Sequence, residues 1–204
     1  QEARNAIVGQ WRGQHGDGIS FDDRAVENAE TALLAGAIDL EPRAEGRVRL
    51  RGRRRLGWAE YGDPGGLPVL WFHGTPGGRR QLPPSAPVLA ERLGVRLIGM
   101  DRPGTGLSTT HRYERVVDVV DDATAVLDHL EVERCAVAGL SGGGPYALAV
   151  SHAMADRISA AAVLGGVAPT CGPERAEGIA RLLVPGGALF GALAIPAGEL
   201  VTQA

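Results

Sequence analysis

The sequence predicts an α/β fold in which helices cover both faces of a mostly parallel sheet, as a three-layer α/β/α sandwich. Three observations predict it. β-type and helical segments alternate along residues 47–166, which is typical of parallel sheets. The run Pro68–Phe72 is continuously apolar, as expected of a strand buried on both faces. Finally, a Gly-Leu-Ser-Gly-Gly turn at 139–143 joins a β-type run to a helical run.

The elements follow one another at short intervals. Period-two alternation and apolar runs indicate strands, and longer segments between Gly and Pro turns indicate helices. We expect strands at 47–51, 55–61, 68–72, 95–100, 134–138 and 158–164, and helices at 85–93, 113–130 and 144–155. Gly52 separates the first two strands, which therefore form a hairpin. The six arginines between 47 and 55 suggest either its solvated face, which the alternation favours, or a nucleic-acid patch.

The organisation along the chain predicts three regions. Residues 1–46 form an N-terminal extension of unknown role, with a helix over roughly 22–35. Residues 47–166 form the α/β core, and residues 167–204 begin a helical cap. The uncharged run 182–198 contains two prolines and is too short and broken to span a membrane.

Composition narrows the possible functions. The chain has 204 residues, of which 44% are hydrophobic and 22% charged, and its net charge is −3. These values indicate a soluble globular protein without a nucleic-acid partner. Cys135 and Cys171 form neither a disulfide framework nor a metal-ligand spacing. We therefore expect a cytoplasmic protein that needs no cofactor or metal.

The turn at 139–143 carries the main chemical signal. A serine on a tight strand-to-helix turn is held in a strained conformation, and small residues at 139 and 143 let the strand and helix approach closely. The helix start also offers unpaired N–H groups and a positive dipole end to a developing oxyanion. An ordinary turn serine or a dinucleotide-binding turn are the alternatives, but Ser141 occupies the position where a dinucleotide turn needs glycine.

Two further loops follow predicted strands, at the strand ends where open α/β sheets bind ligands. His73-Gly-Thr-Pro-Gly follows the third strand, and Asp101-Arg-Pro-Gly-Thr-Gly-Leu-Ser follows the fourth. With the serine turn, they resemble the α/β-hydrolase family in order and spacing, over roughly residues 47–204. Family members that act on halides or epoxides have aspartate at the turn. Ser141 therefore favours an ester, amide or other small-molecule acyl substrate.

The resemblance implies a role for each matching residue. Ser141 matches the nucleophile that forms an acyl intermediate. The backbone N–H groups of Thr75 and Gly142 match the two donors of the oxyanion hole. Three residues match positions that shape the loops through hydrogen bonds and not through catalysis: His73, Gly74 and Asp101. Proline iminopeptidases resemble this chain too, but often have glycine where Thr75 stands, so esterase and peptidase activities both stay open.

The acid and the histidine of a triad are not recognisable. In the family they follow the serine in the chain, yet the only later histidine is His152, inside the predicted helix at 144–155, and residues 165–169 contain no carboxylate. We therefore expect that the chain stops within the cap, is inactive alone and leaves the strand at 158–164 as a bare edge. The alternative is a non-catalytic binding protein with this fold, or a degenerate fragment.

Overall fold

The computed structural model describes residues 41–169. The helix expected at 22–35, Cys171 and the cap after residue 169 lie outside the described residues. The strands are β1 (Ala44–Arg49), β2 (Arg55–Gly62), β3 (Leu67–Phe72), β4 (Val95–Met100), β5 (Cys135–Leu140) and β6 (Ile158–Leu164). The helices are α1 (Ala86–Arg92), α2 (Val119–His129) and α3 (Gly144–Ala153). The expected alternation of strand and helix is confirmed.

The described strands form one sheet in the order β1-β2-β4-β3-β5-β6. The hairpin β1–β2 is antiparallel, and β2 also runs antiparallel to β4. The remaining pairs, β4 with β3, β3 with β5 and β5 with β6, are parallel. The mostly parallel sheet that the sequence predicts is therefore confirmed.

The central strands contribute alternate side chains to two separate cores. In β3, Leu70 and Phe72 join one apolar cluster with α2 and α3. Trp71, between them, joins a second cluster that contains Ala90 of α1. Successive side chains of a strand point to opposite faces, so the two clusters are the two faces of the sheet. This arrangement is the three-layer sandwich.

The second helix begins later than the sequence predicts. A helix was expected from residue 113, but α2 starts at Val119 after a 3-10 turn at Val116–Asp118. The Asp118 carboxylate accepts hydrogen bonds from the backbone N–H groups of Glu114 and Arg115, both at 2.9 Å. Arg115 is extended, with φ −134° and ψ 154°. The side chain thus satisfies N–H groups that a longer helix would use internally.

The hairpin and β6 border the sheet. Most hairpin arginines are exposed, while Val48 between them and Leu56 directly after them are buried. Arg54 instead pairs with the buried Asp122. Within the described part of the chain, β6 pairs only with β5, and its residues after Ile158 are exposed.

No helix among residues 41–169 has the length and apolar character that crossing a membrane requires.

Candidate active site

Strand register brings the three loops to one edge of the sheet. Phe72, the last residue of β3, lies beside Met100 of β4 and beside Gly139 of β5. Since these strands are parallel, the residues that follow them leave the sheet at the same edge. The segments that begin at His73, Asp101 and Ser141 are therefore neighbours.

Ser141 has a strained backbone at the end of β5. Its φ is +49°, and it is one of only two non-glycine residues with positive φ among residues 41–169. This left-handed conformation costs a non-glycine residue about 1–2 kcal/mol. Residues Ser141–Gly143 form a 3-10 turn, and α3 begins at Gly144. The turn is so tight that a Cβ on Gly139 would lie only 2.5 Å from the Gly143 carbonyl oxygen.

The loop after β3 contacts this turn. A Cβ on Gly142 would lie 2.5 Å from the Thr75 hydroxyl oxygen and 3.7 Å from the Thr75 backbone nitrogen. A Cβ on Gly74 would lie 3.6 Å from the Cβ of Ser141. The structure thus brings Thr75, Ser141 and Gly142 together at the edge of the sheet.

Gln81 holds the loop that contains Thr75. Its side-chain carbonyl accepts a hydrogen bond from the Gly74 N–H at 2.8 Å. Its side-chain amide nitrogen donates to the Pro76 carbonyl at 2.9 Å. Its main-chain carbonyl accepts a hydrogen bond from the Trp71 indole N–H at 2.7 Å. Sequence reasoning missed this residue, because no motif distinguishes it from other loop residues.

His73 is buried and neutral. Burial lowers the pKa of His73 to about 4, and the nearby Arg102 charge adds to this effect. Its Nδ1 lies 2.7 Å from the Gly74 carbonyl oxygen, which can only accept, so Nδ1 carries the proton. Its Nε2 then accepts a hydrogen bond from the Arg102 backbone N–H at 3.3 Å. Both ring nitrogens are therefore engaged: Nδ1 within the loop after β3, and Nε2 in a bond that joins this loop to the loop after β4.

Asp101 organises the loop after β4 from a fully buried position. Its carboxylate accepts hydrogen bonds from the backbone N–H of Arg79 at 2.7 Å and of Leu107 at 2.8 Å. It also pairs with the Arg79 guanidinium at 3.2 Å. Gly57 and Gly106 pack against it so closely that a Cβ on either would lie 2.3 or 2.4 Å from a carboxylate oxygen. The carboxylate is thus fully occupied by its own loop and by Arg79 of the loop after β3.

Arg102 is a site residue that the sequence reasoning did not single out. One of its terminal nitrogens donates to the Gly74 carbonyl oxygen at 2.6 Å and to the Thr75 hydroxyl at 2.8 Å. Its guanidinium carbon lies 5.3 Å from the centre of the Tyr146 ring, on the first turn of α3. The signal that could have found it is its position directly after Asp101, at the end of a strand that neighbours β3.

The described residues place no general base on Ser141. Within residues 41–169, no hydrogen bond joins the Ser141 hydroxyl to a histidine or a carboxylate. His152 instead lines an open apolar groove of about 620 Å³ between residues 116–117, α3 and residues 167–169. No three His, Cys, Asp or Glu side chains of the described chain are grouped so that they could hold a metal ion.

Comparison with known proteins decides the family. A family model described as "alpha/beta hydrolase fold" matches residues 68–190. The chain belongs to the α/β-hydrolase-fold family. Among the curated relatives of this α/β-hydrolase-fold chain, a proline iminopeptidase from Arabidopsis thaliana is 30% identical over 152 residues, which are 72% of this chain and 40% of the relative. The regions matched in the curated relatives span only 36–40% of their lengths.

Solved structures of hydrolases share the fold. A thermophilic esterase from Thermogutta terrifontis aligns with 64% of this α/β-hydrolase-fold chain and 48% of its own chain, with 25% identity and a TM-score of 0.52. Epoxide hydrolase A from Mycobacterium thermoresistibile aligns with 62% of this chain and 40% of its own, with 26% identity and a TM-score of 0.52.

Proposed function

We propose that this protein is a serine hydrolase that cleaves an ester, amide or related acyl bond of a small molecule. The Ser141 hydroxyl attacks the carbonyl carbon, and a general base accepts its proton as the C–O bond forms. The backbone N–H groups of Thr75 and Gly142 bind the oxyanion of the tetrahedral intermediate. Collapse of that intermediate expels the leaving group and leaves an acyl-Ser141 ester, which water then hydrolyses.

The observation that carries this proposal is the left-handed backbone of Ser141 next to the Thr75 loop. Glycine or asparagine fits this left-handed conformation better than serine does. An ordinary turn with this conformation would therefore favour one of those residues. Strain of this kind persists where the surrounding structure holds it for a function. Ser141 also has Gly139 before it and Gly142 and Gly143 after it. These small neighbours support a nucleophile over a structural serine.

The substrate class follows from the residue at the turn and from the relatives. A serine hydroxyl is a nucleophile suited to acyl transfer. The similarity to epoxide hydrolase A supports the shared fold and not an epoxide substrate. The proline iminopeptidase likeness supports a small peptide substrate, and the esterase likeness supports an ester. Both are acyl compounds, and we propose that the protein acts on one of them in the cytoplasm without a metal or cofactor.

The general base is proposed to come from outside the described residues. His73 has both ring nitrogens engaged and a pKa lowered to about 4, and His152 lines the apolar groove. The same absence favours the second candidate, a binding protein that keeps the hydrolase fold without turnover. In that case the edge of the sheet beside Ser141 would hold a ligand and leave it unchanged.

A labelling experiment separates the two candidates. The full chain, as its cells produce it, is treated with a fluorophosphonate probe and assayed with short-chain ester and aminoacyl amide substrates. We expect one probe on Ser141 by peptide mapping and a loss of about 10⁶ in kcat for Ser141→Ala. Ser85→Ala is the matched control, since the Ser85 side chain makes no capping hydrogen bond at α1. An unlabelled Ser141 in an inactive full chain would instead support the binding protein.

A further inference from the structure

We propose that Arg102 is a positioning residue for acyl transfer, which fixes and polarises the Gly74–Thr75 peptide so that the Thr75 N–H faces the oxyanion. This inference rests on the proposed function of the same site. It adds a residue to the oxyanion hole that does not itself touch the reacting atoms.

The geometry concerns a single peptide unit. The Gly74 carbonyl and the Thr75 N–H belong to the same planar group, and in a trans peptide they point in opposite directions. The Gly74 oxygen accepts from the Arg102 guanidinium at 2.6 Å and from His73 Nδ1 at 2.7 Å. With two donors on the oxygen, rotation of this peptide would break both bonds. The direction of the Thr75 N–H is therefore set by what holds the opposite side of the peptide.

The charge on Arg102 does more than a neutral donor could do. A hydrogen bond from an ionised donor is about twice as strong as one between neutral groups. It also draws electron density toward the Gly74 oxygen and away from the nitrogen of the same peptide, because hydrogen bonds in series polarise one another. The Thr75 N–H becomes a better donor, and a fixed positive charge lies near the developing oxyanion.

The surroundings of Arg102 hold the guanidinium in place. The Tyr146 ring lies under it at 5.3 Å, and the same terminal nitrogen that bonds Gly74 also donates to the Thr75 hydroxyl. Its Nε atom is buried without a hydrogen-bond partner. A buried unpaired N–H costs about 1–3 kcal/mol, so this placement is unfavourable for folding and favours a functional reason. A Met at this position keeps most of the packing and removes that cost.

The test compares Arg102→Met and Arg102→Lys with Arg157→Met in the full chain. Arg157 is a matched control because it also donates to main-chain carbonyls, those of Val132 and Glu133, far from the loops at the edge of the sheet. We expect Arg102→Met to lower kcat about 10- to 100-fold, less than the loss of an oxyanion donor itself, with KM nearly unchanged. The affinity for a boronic-acid transition-state analogue should fall by the same factor. Arg102→Lys should recover part of both losses.

A second measurement does not depend on turnover. The amide proton of Thr75, observed by NMR in the resting protein, should move upfield and exchange faster in Arg102→Met. If Ser141 proves unreactive but this resonance moves, the proposed function fails, while Arg102 is still shown to fix and polarise the Gly74–Thr75 peptide. A Thr75 resonance unchanged in a folded Arg102→Met protein would overturn the role. So would a kinetic loss confined to KM, because it would place Arg102 on the substrate and not on the peptide.

Discussion

Replacement of Gly143 by alanine tests the packing that joins the serine turn to the sheet. An alanine Cβ at this position would lie 2.1 Å from the Phe72 carbonyl oxygen and 2.7 Å from the His73 carbonyl oxygen. Both are main-chain atoms at the end of β3, so no side chain can rotate away. The turn must move away from β3 by about an ångström, which also separates Ser141 from the loop that contains Thr75.

The magnitude follows from the nature of the overlap. Overpacking costs about 1–3 kcal/mol where side chains can adjust, and more where they cannot. Because both contacts at Gly143 are with main chain, we expect about 3 kcal/mol of lost stability. For a domain of this size, 1 kcal/mol corresponds to about 2–4 °C in the melting temperature. Gly143→Ala should therefore melt about 6–12 °C lower than the unsubstituted protein.

Thermal unfolding followed by near-UV circular dichroism provides the measurement. Gly65→Ala is the matched control, since a Cβ there meets only the Asp63 carboxylate oxygen at an ordinary 3.6 Å. We expect the control to melt close to the unsubstituted protein. Equal melting temperatures for the two variants, within about 1 °C, would mean that the turn does not press against β3 and that the close approach argued here is wrong.

Three further perturbations follow from single contacts. Hydrogen bonds from the Arg80 guanidinium lower the pKa of Glu45 to about 2. The stability that this carboxylate adds is therefore present above its unfolded pKa and lost as the pH falls toward 2. Glu45→Gln should be less stable by at most about 1 kcal/mol near neutral pH. The acid unfolding curves of the variant and the unsubstituted protein should converge at low pH. Tyr113 donates to the buried Asp122 carboxylate at 2.5 Å, so Tyr113→Phe should lower the free energy of unfolding in urea by about 1–3 kcal/mol. Burial raises the pKa of Cys135 to about 11, so its thiol should react with iodoacetamide only after unfolding; rapid alkylation of the native protein would contradict its burial.

Most of the fold could be predicted because its signals are local. The apolar run at β3, the period-two pattern of the hairpin and the glycine turns each depend on neighbours in the chain. The predicted helix start at residue 113 was wrong because the Asp118 carboxylate competes for backbone N–H groups. That competition depends on a side-chain conformation that periodicity does not report.

The candidate site divides in the same way. Ser141 and the loops that begin at His73 and Asp101 are marked by short motifs, and the register of β3 with its two neighbours accounts for their meeting. Gln81 lies outside these motifs, and the motif that contains Arg102 does not report what its side chain does. Both roles depend on which carbonyl or N–H group lies opposite the side chain once the loops are folded.

The strain at Ser141 links these two kinds of information. A local rule predicts glycine for a residue with φ of +49°, and this position breaks it. A broken local rule in an otherwise consistent chain points to function, and here the surrounding contacts show how the strain is held. Glycines on both sides allow the close approach. The facing loop is fixed by a hydrogen bond that the Gln81 side chain accepts from the Gly74 N–H and by one that Arg102 donates to the Gly74 carbonyl. In the proposed mechanism the oxyanion needs one N–H donor from the serine turn and one from the facing loop. The strained turn and the fixed loop therefore serve that mechanism only together.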